Sequence, residues 1–231
     1  MKYSQVIPAR FLRRPNRFIA QVELEGRECV AHVKNTGRCR ELLLPDAKVF
    51  LAISDNPARK TAYDLVAVEK TRPGKTPLLV NLDSQIPNDV AAEWLPHSGL
   101  FSSAAVIRRE VTYRSSRFDF YLEDGPRKVF LEVKGVTLEH DGVASFPDAP
   151  TERGVKHLHE LVEAQQDGYE TFLLFVVQMK EMRCLHPNDA THPAFGDALR
   201  QASRNGVKIL AMDCLVQPDS LVIDQPLPVE L

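Results

Sequence analysis

The chain has 231 residues, of which 44% are hydrophobic and 26% are charged, an ordinary globular composition with room for one large or two small domains. No apolar run approaches the roughly 20 residues that a membrane-spanning helix needs, and the start lacks a secretory signal, so we expect a cytoplasmic protein without a membrane partner. The four cysteines lie far apart, which suggests neither a zinc site nor a disulfide framework.

Charge is distributed unevenly along the chain, although the net charge is only −2. Residues 1–82 contain 15 lysines and arginines against 8 acidic residues, whereas residues 83–231 contain 14 against 23. A basic first half is suited to nucleic acid, and an acidic second half is suited to a metal ion. A merely solvated surface would explain the same charges, so both interpretations stay open.

The first half, residues 1–82, contains short β-rich stretches separated by turn signals, which indicates a small barrel. The predicted strands cover residues 17–24, 28–33, 49–53, 63–69 and 78–81. Turns are predicted at residues 35–37 and 55–57. Five strands with a basic surface favour an OB-like β-barrel, a fold that often binds oligonucleotides. The phosphate contacts expected on this barrel are Arg13, Arg14, Arg17, Arg38 and Arg40.

The second half, residues 83–231, mixes helix and strand signals and is predicted to form an α/β domain with a mixed sheet. The predicted order is helix, three strands, helix, strand, helix and strand, over residues 87–95, 104–113, 117–123, 128–135, 151–167, 171–177, 194–205 and 207–212. Asn88 or Asp89 is expected to cap the first helix. Residues 140–149 are predicted to be a loop. Thr151 is expected to cap the second helix. The buried stripe expected on that helix is Val155, Leu158, Leu161 and Val162.

Two strands of this domain form a predicted hairpin that brings charged residues together. With the turn between Gly125 and Pro126, Asp119 lies across from Glu132, and Lys134 shares their face because side chains alternate along a strand. Facing carboxylates repel, and a divalent cation would remove that cost. The alternative is an ordinary water-exposed face. The opposite face is expected to be core: Phe118, Phe120, Leu122, Val129, Leu131 and Val133.

The order of elements, with Asp119 on the second strand and Glu132-x-Lys134 on the third, resembles the restriction-endonuclease-like nuclease superfamily. A phenylalanine stands before the aspartate where that signature often has proline. We hypothesise that Asp119, Glu132 and the carbonyl of Val133 hold Mg²⁺ or Mn²⁺, which prefer oxygen ligands. Lys134 would position the attacking water or the phosphate. Glu110 is a candidate outer ligand, with a plain surface charge as the alternative.

Four further motifs lie at residues 35–37, 117–120, 131–138 and 146–158, the last of which is the longest. Together they resemble the sugar fermentation stimulation protein A family of bacteria and archaea, over almost the whole chain. The resemblance implies an N-terminal OB-like domain, residues 1–82, and a C-terminal restriction-endonuclease-like αβββαβ domain, residues 83–231. It also implies DNA binding without sequence preference and a regulatory link to maltose metabolism, and it leaves catalysis open.

Two functions therefore stay in view. The first is a DNA-binding protein, with RNA as a second ligand, that is also a metal-dependent nuclease; the second is a catalytically silent DNA-binding regulator. Arg153, Lys156 and His157 are expected to contact the nucleic-acid backbone, with a solvated helix face as the alternative, and Arg153 is also placed to brace the acidic residues. The other histidines, such as His186, have no ligand spacing and are expected to have packing or surface roles. No sequence feature indicates a sugar-metabolising enzyme.

Overall fold

The N-terminal strands close into a five-stranded barrel with one additional strand. The structure is a computed structural model that describes residues 1–35, 37–56 and 58–231. The strands pair in the order β3-β2-β1-β4-β5-β6, and a parallel pairing of β3 with β5 closes the ring. Their bounds are β1 (Val6–Asn16), β2 (Ile19–Leu24), β3 (Arg27–Val33), β4 (Lys48–Ile53), β5 (Tyr63–Lys70) and β6 (Leu78–Asn81). The OB-like barrel is confirmed, although the prediction had missed β1.

Alternation along these strands places apolar side chains inside the barrel, where Phe11, Val22 and Leu65 are at most 2% exposed. The two predicted turns include Thr36 and Pro57, which lie outside the described residues. Beside the first of them, the Asn35 side chain accepts a hydrogen bond from the backbone N–H of Gly37 at 2.8 Å.

The second half forms a six-stranded mixed sheet in the order β15-β14-β12-β9-β8-β7, beside a three-stranded sheet in the order β10-β11-β13. In the larger sheet β9, β12 and β14 are parallel, and the other pairings are antiparallel. The bounds are α1 (Ile86–Trp94), β7 (Val106–Tyr113), β8 (Ser116–Asp124), β9 (Arg127–Val136), β10 (Leu138–His140), β11 (Val143–Phe146), α2 (Glu152–Gln166), β12 (Glu170–Val177), β13 (Cys184–Pro187), α3 (Pro193–Arg204), β14 (Lys208–Gln217) and β15 (Ser220–Pro226). The predicted αβββαβ order is confirmed.

Four strands of the second half depart from the sequence prediction. The loop predicted at residues 140–149 contains β11 and the end of β10, and the prediction had missed β13 and β15. Each of β10, β11 and β13 has only three or four residues, which is too short for alternation to be recognised in the sequence.

Helices cover both faces of the larger sheet. On one face α2 and α3 pack together, and their apolar cluster continues without a break into the barrel. On the other face α1 packs against β9 and β15. Because one cluster serves both halves, the boundary between residues 82 and 83 stays a prediction. Among the described residues, no helix is long and apolar enough to cross a membrane.

The hairpin of β8 and β9 has the predicted register, with Phe120 paired to Leu131 and Asp124 paired to Arg127. Phe118 is buried, as predicted, but the face predicted for it is wrong. Phe118 packs on the opposite face from Phe120, with its ring centroid 5.2 Å from that of Phe130. The alternation is broken at the intervening residue, where the β8–β9 ladder has ended and the adjacent strand β7 has a left-handed residue, with φ of 56° at Glu110.

Hydrogen bonds from Gln178 join the barrel to the second half. Its side-chain amide donates to the backbone carbonyl of Asn81 at 3.1 Å, to the Asn81 side chain at 3.0 Å and to the carbonyl of Asp83 at 3.1 Å. Gly135 is required at this junction, because a Cβ there would lie 2.5 Å from Gln178 Oε1 and 2.7 Å from Pro87 Cγ. The end of β9 therefore lies directly against the barrel junction.

Candidate metal-binding and catalytic site

Asp119 is held where strands β8 and β9 separate. The pairing of β8 with β9 ends at Phe120 and Leu131. At the next position the Asp119 carboxylate, instead of a backbone carbonyl of β8, accepts a hydrogen bond from β9. Its Oδ2 accepts a hydrogen bond from the N–H of Val133 at 2.7 Å, and its Oδ1 accepts one from Asn88 Nδ2 on α1 at 2.7 Å. The two donors fix the carboxylate from both sides.

The environment of Asp119 makes its negative charge costly. Burial, together with the nearby negative charge of Glu132, raises the pKa of Asp119 from 3.8 to about 6, despite the two hydrogen bonds. A positive ion beside this carboxylate would relieve both the burial cost and the repulsion from Glu132.

Glu132 is 2% exposed and lies between two donors. Its Oε1 accepts hydrogen bonds from Lys134 Nζ at 2.5 Å and from the His157 ring. Its Oε2 is buried and has no hydrogen-bond partner among the described residues. Burial alone would raise the pKa of Glu132, but the charge of Lys134 and the hydrogen bonds from Lys134 and His157 outweigh it and hold that pKa below its ordinary value. Glu132 is thus ionised, with one oxygen unused.

His157 lies under the sheet on α2 and is only 3% exposed. Arg153 Nε donates to its Nε2 at 3.3 Å, so the neutral ring carries its proton on Nδ1, the nitrogen that faces Glu132. The expectation that His157 touches nucleic acid or solvent is wrong, because the ring is buried and its two nitrogens are occupied. Its contact instead orients the carboxylate, and Arg153 holds the ring through the hydrogen bond to Nε2. The phosphate contact and the bracing of the acidic residues expected of Arg153 stay predictions.

The donor set fits an oxygen-preferring cation. Asp119 and Glu132 present carboxylate oxygens, and a buried carboxylate oxygen without a partner is costly unless something binds it. Mg²⁺ and Mn²⁺ typically take one or two carboxylates and complete their coordination with water and phosphate oxygens. Val133 contributes its N–H to Asp119, and the metal contact of its carbonyl stays a prediction.

Two predicted residues lie on the surface. Glu110 on β7 is exposed and pairs with Arg117 at 3.4 Å. Lys156 on α2 is exposed, and its Nζ donates to the carbonyl of Ser115 at 3.2 Å and lies 3.9 Å from Glu160. These contacts connect neither side chain to Asp119 or Glu132.

The barrel arginines differ in their contacts. Arg17, Arg38 and Arg40 are exposed and line a cavity of about 460 Å³ that also touches Ala149, just before α2. Arg14 borders the same cavity, but its guanidinium donates to four backbone carbonyls, those of Arg17, Asn35, Gly37 and Arg38, at 2.6 to 2.9 Å. Arg14 is therefore chiefly a brace for this loop. Arg13 is exposed, hydrogen-bonds to Gln21 and lies 3.7 Å from Glu28.

Sequence reasoning missed Asn88, which it treated as a helix cap. The helix begins at Ile86 after Gln85, whose side chain makes no capping bond, and Asn88 points instead to Asp119. No spacing in the sequence connects these two residues. For His157 a signal existed, because it lies three residues after Gly154 and four before Leu161, on the stripe that the structure buries.

An OB-like barrel joined to a restriction-endonuclease-like domain, with a carboxylate pair and a lysine on its central hairpin, defines the class of this protein. Two family models match the chain: the sugar fermentation stimulation protein RE domain over residues 85–220, and the SfsA N-terminal OB domain over residues 12–76. The chain belongs to the sugar fermentation stimulation protein family.

Relatives and a solved structure agree with this assignment. A sugar fermentation stimulation protein homolog of Desulfitobacterium hafniense (strain Y51) is 58% identical over 221 residues, which cover 96% of this chain and 94% of that protein. A homolog from Clostridium beijerinckii is 51% identical over 223 residues, 96% of each chain. The structure of Pyrococcus furiosus SfsA in complex with Ca²⁺ is similar with a TM-score of 0.85, at 27% identity, over 100% of this chain and 98% of that one.

Proposed function

We propose that the protein binds DNA without strong sequence preference and cleaves its phosphodiester bonds with a divalent cation. The observation that carries this proposal is the buried Glu132 carboxylate, one oxygen of which has no hydrogen-bond partner in the described part of the chain. It lies beside Asp119, whose pKa is raised by burial and by the charge of Glu132. Ionised oxygens that the protein leaves uncompensated are the ligands that Mg²⁺ and Mn²⁺ require. The Pyrococcus furiosus relative, which was solved with Ca²⁺, supports a divalent cation in this family.

A bound cation would supply positive charge beside a non-bridging phosphate oxygen, where charge accumulates during hydrolysis. The chain supplies orientation. Asn88 and the N–H of Val133 hold Asp119, and His157 holds Glu132. Each carboxylate is therefore positioned before substrate arrives, which lowers the cost of reorganisation in the transition state.

In the proposed reaction, Lys134 acts on the nucleophile. Its ammonium lies 2.5 Å from Glu132 Oε1, and its side chain is 16% exposed, so it is accessible to a water or a phosphate oxygen. In the proposed reaction the water oxygen bonds to phosphorus while the bond to the leaving sugar oxygen breaks. The water loses its proton to solvent, and the leaving oxygen takes one up from solvent.

The basic cavity supports a route for the nucleic-acid backbone. Arg17, Arg38 and Arg40 gather positive charge on the barrel, and Ala149 links this cavity to the segment that enters α2. Arg153 follows on the first turn of that helix and is exposed. Phosphate contacts of this kind bind without reading bases, and their affinity falls as salt rises.

The proposal is tested by incubating the protein with single- and double-stranded DNA and with RNA, in Mg²⁺, Mn²⁺ or EDTA. Metal-dependent cleavage that is lost in Glu132→Gln would support the nuclease. Glu139→Gln is the matched control, because Glu139 is also buried and paired with a lysine, Lys70, but belongs to the small sheet. Cleavage that persists in Glu132→Gln would overturn the assigned site.

A catalytically silent DNA-binding regulator of sugar metabolism is the second candidate, and one observation favours it. Lys134 and His157 already compensate one oxygen of Glu132, so the folded protein tolerates this carboxylate without a metal. Salt-sensitive DNA binding without cleavage in any of the metals, and without Mn²⁺ binding by calorimetry, would favour the regulator.

A further inference from the structure

A second group of metal-ligating side chains lies on the small sheet, away from the hairpin that carries Asp119. Cys184 and His186 are two residues apart on β13, so both point to the same side of that strand. Glu230, from the C-terminal segment, completes the group. The ligand atoms of the three side chains all lie within 4.8 Å of one another.

We propose that Cys184, His186 and Glu230 bind a transition-metal cation of the zinc type. His186 Nε2 lies 3.3 Å from Cys184 Sγ and 2.8 Å from Glu230 Oε2. Tetrahedral ligands at ordinary zinc bond lengths lie roughly 3 to 4 Å apart. The group therefore needs to open only slightly to admit an ion. This site is independent of the proposed nuclease function.

The chemistry of the ligands selects the ion. A thiolate, an imidazole and one carboxylate make a mixed sulfur, nitrogen and oxygen set, which suits Zn²⁺ and Co²⁺ and is poor for Mg²⁺ and Ca²⁺. Cys184 is 7% exposed, whereas the His186 and Glu230 side chains are 42% and 61% exposed. A buried sulfur with two ligands at the surface leaves room for water as a fourth ligand.

Backbone bonds fix the position of Glu230 although it is next to the last residue. The Leu185 N–H donates to the carbonyl of Pro228 at 2.9 Å, and the Glu230 N–H donates to the carbonyl of Leu185 at 3.0 Å. Val229 forms a parallel bridge with Leu185. Backbone hydrogen bonds thus hold the Glu230 carboxylate beside β13. A bound ion would add a further bond between the C-terminal segment and the small sheet.

The same contacts would also serve a metal-free ion pair between His186 and Glu230 beside a thiol. In that state, burial and the negative charge of Glu230 raise the pKa of the Cys184 thiol, which keeps it protonated. A bound cation reverses this preference, because a coordinated thiol is deprotonated. Sulfur ligation is therefore the property that separates the two states.

The test is a titration of the EDTA-treated full chain with Co²⁺ in the presence of excess Mg²⁺, followed by optical absorbance. We expect a sulfur-to-cobalt charge-transfer band with tetrahedral d–d bands at one equivalent, and loss of both when Zn²⁺ is added. Cys184→Ser should abolish the charge-transfer band. Cys29→Ser, which removes a half-buried thiol in the barrel, is the matched control and should keep it.

A second variant distinguishes loss of metal binding from loss of folding. Glu230→Gln alters an exposed side chain near the chain end and should weaken Zn²⁺ binding by at least about tenfold. Zn²⁺ should raise the melting temperature of the wild type more than that of this variant. No charge-transfer band in the wild type, a band retained in Cys184→Ser, or unchanged Zn²⁺ affinity in Glu230→Gln would each overturn the proposal.

Discussion

Replacing Asp119 by asparagine should stabilise the metal-free protein at neutral and alkaline pH. In the folded chain the carboxylate is partly buried beside Glu132, and its pKa is raised from 3.8 to about 6. The substitution removes the charge and keeps the shape. Its amide oxygen can accept from the N–H of Val133, and its NH₂ group can donate to Asn88 once the Asn88 amide rotates, so both existing hydrogen bonds have replacements.

The size and sign of the effect follow from linkage between proton binding and folding. Below pH about 4 the carboxyl is protonated in the folded and the unfolded chain, and this cost is absent. Between pH about 4 and about 6 the unfolded chain ionises first, so the folded state loses stability as pH rises. Above that range a pKa rise from 3.8 to about 6 corresponds to on the order of 3 kcal/mol, and solvent at this partly exposed group reduces it to about 1 to 3 kcal/mol.

The assay is urea unfolding in EDTA across this pH range, with Asp64→Asn as the matched control of opposite sign. Asp64 is also buried, but Arg59 and Lys34 outweigh its burial and hold its pKa below the ordinary value, so its loss should destabilise the protein at neutral pH. Added Mn²⁺ should stabilise the wild type and not Asp119→Asn. A wild type that is as stable as Asp119→Asn at pH about 8 in EDTA would refute the reasoning.

Three further predictions concern the cap, the junction and the basic surface. Thr151→Ala should cost about 1 kcal/mol of unfolding free energy, because the hydroxyl caps α2, and Thr151→Ser should recover most of it. Gln178→Ala should cost about 2 to 3 kcal/mol in the same urea assay by leaving buried groups at Asn81 unpaired; a loss within experimental error would contradict the role of Gln178 as a joint. The double variant Arg38→Ala/Arg40→Ala should lower the slope of log affinity against log salt for duplex DNA by about 2, and an unchanged slope would remove both residues from the contact surface.

Local sequence signals were sufficient to predict an OB-like barrel, apart from its strand β1, and the register of the β8–β9 hairpin. Alternation and turn residues act over a few positions, so the pairing of Phe120 with Leu131 followed from the Gly125-Pro126 turn alone. The same local rules failed at Phe118, because alternation assumes a regular strand, whereas β8 is distorted between Phe118 and Phe120.

The remaining parts of the site depend on contacts between distant segments. Asn88 is 31 residues from Asp119, and His157 is 25 residues from Glu132. Their meeting is decided by how α1 and α2 pack on opposite faces of the sheet, which no short spacing encodes. The buried stripe predicted for α2 included Val155 and Val162, which are only half-buried, whereas Gly154 and His157 are fully buried. At Gly154 the small residue permits close packing against Phe195.

Packing between the two halves bears on how substrate would reach the carboxylates. Gly37 of the barrel lies so close to Asp148, in the segment that enters α2, that a Cβ on Gly37 would lie 1.9 Å from the Asp148 carboxylate. That segment leads to Arg153, which contacts His157, which in turn holds Glu132. The basic cavity and the acidic site are therefore connected by the backbone segment 148–153 and by the contacts of Arg153 with His157 and of His157 with Glu132. In the proposed function, a nucleic-acid backbone bound at Arg17, Arg38 and Arg40 lies at a fixed position relative to the carboxylates. Movement of the barrel would first have to break these contacts and those of Gln178.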